Sequence, residues 1–176
     1  RYNRCVQDGV CSHNDAWGEL GLPVRRVTFQ EARKFCTWAG GDLPRENEWI
    51  LAAAGPQGRR YPWGDTGAVC RRASWGLVDG PCVRGGQGPE LAGLHLDDKT
   101  SDGFRDLAAN VSEWVMDDEG EALIKGGSFR SQLAAELRTW RAQKRDPNGK
   151  FDDVGFRCRY EGGGGEALEV IPSRQP

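Results

Sequence analysis

Residues 23–54 read PVRRVTFQEARKFCTWAGGDLPRENEWILAAA, and this stretch predicts two consecutive helices. In the first, Thr28 and Glu31 form a capping box at the start. Apolar residues then recur at helical spacing, namely Phe29, Ala32, Phe35, Cys36 and Ala39. Gly40 and Gly41 end the pattern, so we predict a helix over Thr28 to Ala39.

The second predicted helix runs from Arg45 to Ala54, with Pro44 near its start and Gly55 just after its end. Upstream, Tyr2 to Asp8 predicts a short helix that ends at Gly9. We assign all three helices to the scaffold.

The chain after these helices is first irregular and then strand-like. Residues 55–103 are rich in glycine and proline and contain Cys70 and Cys82, and so long a loop requires a covalent staple. Four short segments beyond it are compatible with strands: Val111 to Met116, Leu123 to Phe129, Glu136 to Arg141 and Val154 to Tyr160. Helices followed by antiparallel strands indicate the α+β class.

Length and composition predict one loop-rich domain. The 176 residues suffice for a single core, and the 25 glycines are about twice the usual share of roughly 7%. No internal repeat is visible. Gly162 to Gly165, followed by Glu166 to Pro176, has the composition of a flexible linker. We therefore place the domain at residues 1–160 and a flexible tail at 161–176.

Charge and hydropathy limit the classes of partner. The net charge is −2, and lysine and arginine are spread along the chain. No overall positive electrostatic field therefore attracts nucleic acid or acidic lipid. No run approaches the roughly 18 apolar residues of a membrane helix. We expect neither nucleic-acid binding nor membrane insertion. The start at Arg1 lacks the features of a signal peptide, which leaves a removed signal or a larger parent protein open.

The six cysteines favour disulfides over a metal cluster. They form no C-x-x-C pair, and His13 and His95 are the two histidines. An oxidising location follows, whether extracellular, cell-surface or periplasmic. Cys5 and Cys11 flank the end of the first helix closely enough to be bridged, and the alternative is two free buried thiols.

Ordered motifs along the chain resemble those of the formylglycine-generating-enzyme, or sulfatase-modifying factor, family. The motifs include Val27-Thr28-Phe29, Trp38-Ala39-Gly40, Tyr61-Pro62-Trp63-Gly64-Asp65, Asn110-Val111, Glu113-Trp114, Gly126-Gly127-Ser128-Phe129 and Gly155-Phe156-Arg157-Cys158. The resemblance covers Pro23 to Tyr160, and Tyr2 to Cys11 is similar to the helix that precedes this region in bacterial members. The family's opening strands are not recognisable.

This resemblance implies a C-type-lectin-like fold with little regular structure, in which two helices pack around a small antiparallel sheet. It also implies a bridge between Cys36 and Cys158. Cys70 then pairs with Cys82, and Cys5 with Cys11.

In active members of the family, two cysteines shortly after the Gly-Gly-Ser motif bind copper and oxidise a substrate cysteine. Ser131 and Glu136 stand at those positions here. A hydroxyl and a carboxylate cannot replace the thiolates that select Cu(I). We therefore expect neither copper nor the family's chemistry.

The family also holds calcium beside its Asn-Val-Trp-Glu-Trp motif, and calcium prefers carboxylate and carbonyl oxygens. The matching groups are the Asp106 and Glu113 side chains and the Ala109 and Val111 carbonyls. Two departures weaken the match, because Ala109 replaces a usual glycine and Ser112 replaces a usual tryptophan. Calcium is thus one interpretation, and a plain acidic surface turn is the other.

The segment from Ser128 to Asp153 matches the ligand face of lectin-like relatives. Its candidate ligand-binding residues are Arg130, Ser131, Glu136, Arg138, Trp140 and Arg145. Arginines suit an anionic or carboxylate-bearing ligand, which could be a protein, a peptide or a glycan. A solvated charged face is the alternative interpretation.

Four hypotheses about function follow. The first is a non-catalytic ligand-binding domain, including the extracellular sensor part of a larger bacterial protein such as a kinase. The second is a variable ligand-binding protein of a diversity-generating retroelement, with display changes between Ser128 and Asp153. The third is an enzyme with altered chemistry that uses Glu136, Ser131 or Arg138. The fourth is a domain that only assembles with its parent protein.

Overall fold

The computed structural model describes residues 1–12, 21–85 and 87–161. His13 and the predicted tail, apart from Glu161, lie outside these residues. The helices are α1 (Tyr2–Gln7), α2 (Phe29–Trp38), α3 (Glu46–Ala54) and a 3-10 helix at Ala134–Leu137; the strands are β1 (Ser112–Met116), β2 (Ala122–Lys125), β3 (Ala142–Gln143) and β4 (Val154–Phe156). Within these ranges no helix has the length and apolar character needed to cross a membrane.

The predicted helices are confirmed, including how the two longer ones begin. The Glu31 amide donates to the Thr28 hydroxyl (3.1 Å), and the Thr28 amide donates to the Glu31 carboxylate (2.9 Å), which completes the capping box of α2. The Arg45 amide donates to the Glu48 carboxylate (2.7 Å) at the start of α3. Gly55, with φ 64°, lies just past its end.

The sheet has the strand order β3-β2-β1-β4. β1 and β2 are antiparallel, with Trp114 opposite Ile124, and β2 and β3 are also antiparallel. β4 runs parallel to β1, with Ser112 opposite Val154, so the sheet is mixed and the prediction of a wholly antiparallel sheet is wrong for this pair. Residue alternation shows which side chains share a face, but it does not show the direction of the neighbouring strand.

The predicted strand from Glu136 to Arg141 is also wrong. The Glu136 carboxylate accepts the Gln132 and Leu133 amides, both at 2.9 Å, and this contact caps a 3-10 helix instead. Two other strands are shorter than predicted. β2 ends before Gly126, whose φ of 71° leaves the extended region, and β4 ends at Phe156.

The main core lies between α1, α2 and the sheet. Its buried residues include Tyr2, Phe29, Phe35, Leu43, Trp114, Ile124 and Val154. Trp114 is fully buried and donates its indole N–H to the Val27 carbonyl (3.0 Å), which satisfies its polar atom. The disulfides Cys5–Cys11, Cys36–Cys158 and Cys70–Cys82 contain all six cysteines, as predicted.

A second apolar cluster connects the long irregular region to the segment after β2. Tyr61, Ala73, Trp75, Leu77 and Cys82 pack with Phe129 and Leu137. The Leu77 amide donates to the Phe129 carbonyl, and the Phe129 amide donates to the Asn110 carbonyl, both at 2.9 Å. The loop closed by Cys70–Cys82 therefore holds Phe129 in place, and with it the residues on either side.

Candidate ligand-binding groove

A polar cavity of about 190 Å³ lies beside the start of β1 and β4. Its lining consists of Ser112, Ser128, Arg130, Ser131, Glu136, Gln143, Arg145 and Asp153. Four of the six predicted ligand-binding residues are among these: Arg130, Ser131, Glu136 and Arg145. We call this cavity and its rim the groove.

Ser131 and Glu136, which the resemblance matches to the thiols of active members, both bond to nearby backbone through their side chains. The Ser131 Oγ accepts the Ser128 amide (3.0 Å), and Ser131 is only 9% exposed. One oxygen of Glu136 accepts the Gln132 and Leu133 amides. These two side chains therefore fix the local backbone as well as line the groove.

Asp153 organises the inner wall of the groove. Its carboxylate accepts from the Arg145 guanidinium (3.0 and 3.5 Å) and from the Ser128 hydroxyl (3.1 Å). Its backbone carbonyl accepts the Ser112 amide (2.8 Å), which is part of the parallel β1–β4 contact. Asp153 thus joins the sheet to the segment that follows β2.

Of the other four lining residues, Ser128, Gln143 and Asp153 lie in the segment predicted as the ligand face without being named as ligand-binding, and Ser112 lies outside it. Two signals were available. Ser128 belongs to the Gly-Gly-Ser-Phe motif, and Ser112 occupies a position where the family usually has a much larger tryptophan. Gln143 and Asp153 carry no individual signal beyond their place in the predicted segment, because the fold brings them to the groove from its far end.

Arg130 lies at the outer edge of the groove. Its guanidinium approaches the Asp152 carboxylate (3.6 Å) and lies over the Phe129 ring, 5.1 Å from the centroid. Its side chain is 46% exposed. Arg130 is therefore positioned by Asp152 and Phe129 while its side chain stays accessible at the groove.

Arg138 and Trp140 do not line the cavity. The Arg138 guanidinium lies 5.7 Å from the centroid of the Trp140 ring, and Trp140 is 52% exposed. Between them, Thr139 is buried and bonds to the Arg59 and Arg60 carbonyls (2.7 and 3.0 Å). The structure thus separates the predicted ligand face into the groove and an outer Arg138–Trp140 ridge.

Both side chains predicted to bind calcium have protein partners in this structure. Both oxygens of Glu113 accept from Arg157 (2.6 and 2.7 Å), and one also accepts the Trp49 indole N–H (2.7 Å). One oxygen of Asp106 accepts the Gly93 amide (2.6 Å). Across the described ranges, no three acidic, histidine or cysteine side chains converge on a common point. Calcium binding stays a prediction, and an ion here would compete with Arg157 for Glu113.

Three acidic side chains, Asp98, Asp106 and Glu113, lie around Arg157. Burial and the neighbouring charge of Asp106 raise the pKa of Asp98 to about 8. Burial likewise raises the pKa of Asp106. Although burial opposes the charge on Arg157, Glu113 raises the pKa of this guanidinium. The ion pair between Arg157 and Glu113 is consequently the central contact of this acidic cluster.

Comparison with known proteins identifies the family. A family profile described as "Sulfatase-modifying factor enzyme 1-like domain" matches residues 7–161, which is most of the chain. The chain belongs to this family. The disulfide-stapled, loop-rich fold described above agrees with that membership.

Several relatives of the sulfatase-modifying factor family are similar in sequence. The inactive C-alpha-formylglycine-generating enzyme 2 of Bos taurus is 29% identical over 157 residues, which is 80% of this chain and 50% of that protein. The formylglycine-generating enzyme of Streptomyces coelicolor is 27% identical over 173 residues, covering 84% and 55%. The serine/threonine-protein kinase pkn1 of Chlamydia pneumoniae is 29% identical over 158 residues, covering 77% and 23%. The chain spans about half the length of the first two proteins.

A solved structure shares the fold at low sequence identity. Treponema denticola variable protein 1 aligns with a TM-score of 0.61 at 16% identity, covering 84% of this chain and 74% of that one. This likeness supports the C-type-lectin-like architecture of the family and no more than that.

Proposed function

We propose that this chain is a non-catalytic ligand-binding domain of the sulfatase-modifying factor family that uses the groove. One observation carries the proposal: Ser131 and Glu136 occupy the two thiol positions of active members, and every cysteine of the chain is in a disulfide. Copper-dependent oxidation of a cysteine requires thiolate ligands. The groove offers hydroxyl, carboxylate, amide and guanidinium groups instead.

The inactive C-alpha-formylglycine-generating enzyme 2 of Bos taurus supports the proposal, since it is 29% identical over 80% of this chain. Loss of the thiols removes the chemistry but leaves a concave polar surface on a rigid scaffold. Such a surface retains the capacity to bind. We assign it a protein, peptide or glycan ligand and no role with nucleic acid or membrane lipid.

We extend the proposal to location and context. Three disulfides are stable in an extracellular, cell-surface or periplasmic location, where the environment is oxidising. The similarity to a serine/threonine-protein kinase of Chlamydia pneumoniae, over only 23% of that protein, is what a module of a larger protein would show. A sensor module in a bacterial protein is therefore the context that we propose.

A second candidate function is that of a variable display protein. Its support is the fold shared with Treponema denticola variable protein 1 and the exposure pattern of residues 128–153. Arg130, Gln132, Leu133, Ala135, Trp140 and Arg141 are exposed, whereas Leu137 and Thr139 anchor the segment inside. Sequencing the locus across many isolates distinguishes the two functions, because variation confined to codons 128–153 would indicate display.

Peptide selection followed by a binding assay tests the main proposal. Display-selected peptides should bind the purified chain saturably, without being consumed. Ser112→Trp, which places a large ring in the cavity, should abolish binding. Asp118→Trp, on the exposed β1–β2 turn, is the matched control and should bind normally.

Two results would contradict the proposal. Binding that survives Ser112→Trp in a correctly folded variant would place the ligand elsewhere on the surface. Turnover of a bound peptide, lost in Ser131→Ala or Glu136→Gln, would instead support an enzyme with altered chemistry.

A further inference from the structure

We propose that the groove takes a small zwitterion of the size of a free α-amino acid, with its cationic group at Glu136 and its anionic group at Arg130. This inference rests on the proposed function, since it uses the same groove, and it adds a small molecule to the protein, peptide or glycan ligands assigned there.

The cavity volume indicates the size of the group that fits inside the groove. About 190 Å³ is below the roughly 300–1,000 Å³ of pockets that enclose drug-sized molecules. It accommodates one small polar molecule. A glycan chain or a folded peptide segment would have to stay mostly outside.

Two of the four charged lining residues neutralise each other. Arg145 and Asp153 form a two-bond ion pair at 3.0 and 3.5 Å, and their side chains are 30% and 11% exposed. The Ser128 hydroxyl completes the partners of the Asp153 carboxylate. This pair belongs to the wall of the groove, and it adds no net charge for a ligand to balance.

Glu136 and Arg130 are the charged residues that remain. A carboxylate accepts about four hydrogen bonds, and the two backbone amides bound by Glu136 share one oxygen, which leaves the second oxygen for a cation. Arg130 has five N–H donors, and its contact with the Asp152 carboxylate is long, at 3.6 Å. The groove therefore presents one negative and one positive group.

Neutral hydrogen-bonding groups accompany these charges. The Ser131 Oγ accepts the Ser128 amide, so its own hydrogen is left to donate. The Gln143 side chain contributes an amide to the same lining. A ligand with a single charge would desolvate both Glu136 and Arg130 but compensate only one of them. A zwitterion compensates both.

The test uses matched compounds in which one charge is removed at a time. Isothermal titration calorimetry should show saturable binding of glycine, L-alanine or L-serine to the purified chain. The N-acetyl derivative lacks the cationic group and the amide derivative lacks the anionic group. Each should bind at least about tenfold more weakly than the parent amino acid.

Two single substitutions locate each end of the ligand. Arg130→Gln should weaken binding of the parent amino acid until it binds no more tightly than its amide derivative. Glu136→Gln should weaken it until it binds no more tightly than its N-acetyl derivative. The new side-chain oxygen can still accept the Gln132 and Leu133 backbone N–H groups. Arg141→Gln, exposed on the same segment and outside the cavity lining, should bind like the unmodified chain.

The outcomes separate this inference from the proposed function. If the N-acetyl or amide derivatives bind as tightly as the amino acids, the zwitterion proposal is overturned. If that binding is lost in Ser112→Trp, the proposed binding groove is still supported. If no amino acid binds, the zwitterion is overturned, and peptide selection decides the proposed function independently.

Discussion

Arg157 holds both oxygens of Glu113, with Nε 2.6 Å from Oε2 and Nη2 2.7 Å from Oε1. Glu113 is 5% exposed, and it comes from β1 while Arg157 follows β4. The pair therefore crosses the parallel strands and secures the C-terminal part of the domain. It also occupies the carboxylate that sequence reasoning assigned to calcium.

Breaking the Arg157–Glu113 pair should lower the free energy of unfolding substantially. Arg157→Gln leaves the Glu113 carboxylate buried without its cation, and we expect the free energy of unfolding to fall by about 3–5 kcal/mol. Chemical denaturation measures the change. Arg33→Gln is the matched control, because it breaks a two-bond pair with Asp42 at the half-exposed surface, where the loss should stay below about 1 kcal/mol. Equal losses in the two variants would contradict this account.

Calcium should not stabilise the chain if Arg157 keeps its place. We expect the thermal midpoint to be the same in calcium and in EDTA, since the positive Arg157 guanidinium bonds both Glu113 oxygens and repels a second cation. Differential scanning fluorimetry checks this, with magnesium as the control ion. A midpoint that rises with calcium concentration would show that an ion site forms, and Glu113→Gln would then show whether it includes this carboxylate.

Acid should weaken the start of α2 through Glu31. Burial raises the pKa of Glu31, but bonds from Lys150 and Thr28 outweigh it and lower the pKa overall. The contribution of ionised Glu31 to the free energy of unfolding is therefore complete above its ordinary pKa of 4.5. It is lost as pH falls through the lower pKa that Glu31 has in the folded chain. Between pH 6 and pH 3, Glu31→Gln should lose less stability than the unmodified chain. Parallel curves for the two proteins would contradict this assignment.

The three disulfides should differ in their contributions to stability. The chain-entropy relation gives about 5 kcal/mol for Cys36–Cys158, about 3 for Cys70–Cys82 and about 2 for Cys5–Cys11, because the sequence separations are 122, 12 and 6 residues. Paired alanine substitutions and denaturant unfolding measure the order. Non-reducing peptide mapping should first recover each pair. If the variant without Cys5–Cys11 lost the most free energy of unfolding, this ranking would be rejected.

Gly155 should tolerate no side chain. A Cβ there would lie 2.4 Å from the Val24 carbonyl oxygen, and this atom is backbone that cannot move aside cheaply. We expect Gly155→Ala to destabilise the chain by at least about 1–3 kcal/mol in thermal or urea unfolding. Gly67→Ala meets nothing within 4 Å and serves as the control, with little change.

Local rules made much of the scaffold predictable from sequence. The capping box at Thr28 and Glu31, the glycine after α3 and the even cysteine count each follow from short-range chemistry. The resemblance then supplied the Cys36–Cys158 pairing, which spacing alone could not. These features depend on residues that are close in sequence or belong to ordered motifs.

The groove was only partly predictable, because its walls come from distant parts of the chain. Arg26 pairs with Asp152, which lies 126 residues away, and neither position signals the other. Ser112 and Asp153 meet through the parallel β1–β4 contact, whose direction was mispredicted. Glu136 was assigned to a strand because its capping contact with Gln132 and Leu133 has no clear pattern in sequence.

The Cys36–Cys158 bridge has a practical consequence for proteolysis. A protease that cuts the backbone once anywhere between these two cysteines leaves both fragments covalently joined. Electrophoresis without reductant would then show a band of unchanged mass even though the loop beside the groove had been opened. Adding dithiothreitol before electrophoresis would release two fragments, and comparison of the two lanes would reveal nicked molecules that otherwise pass as intact.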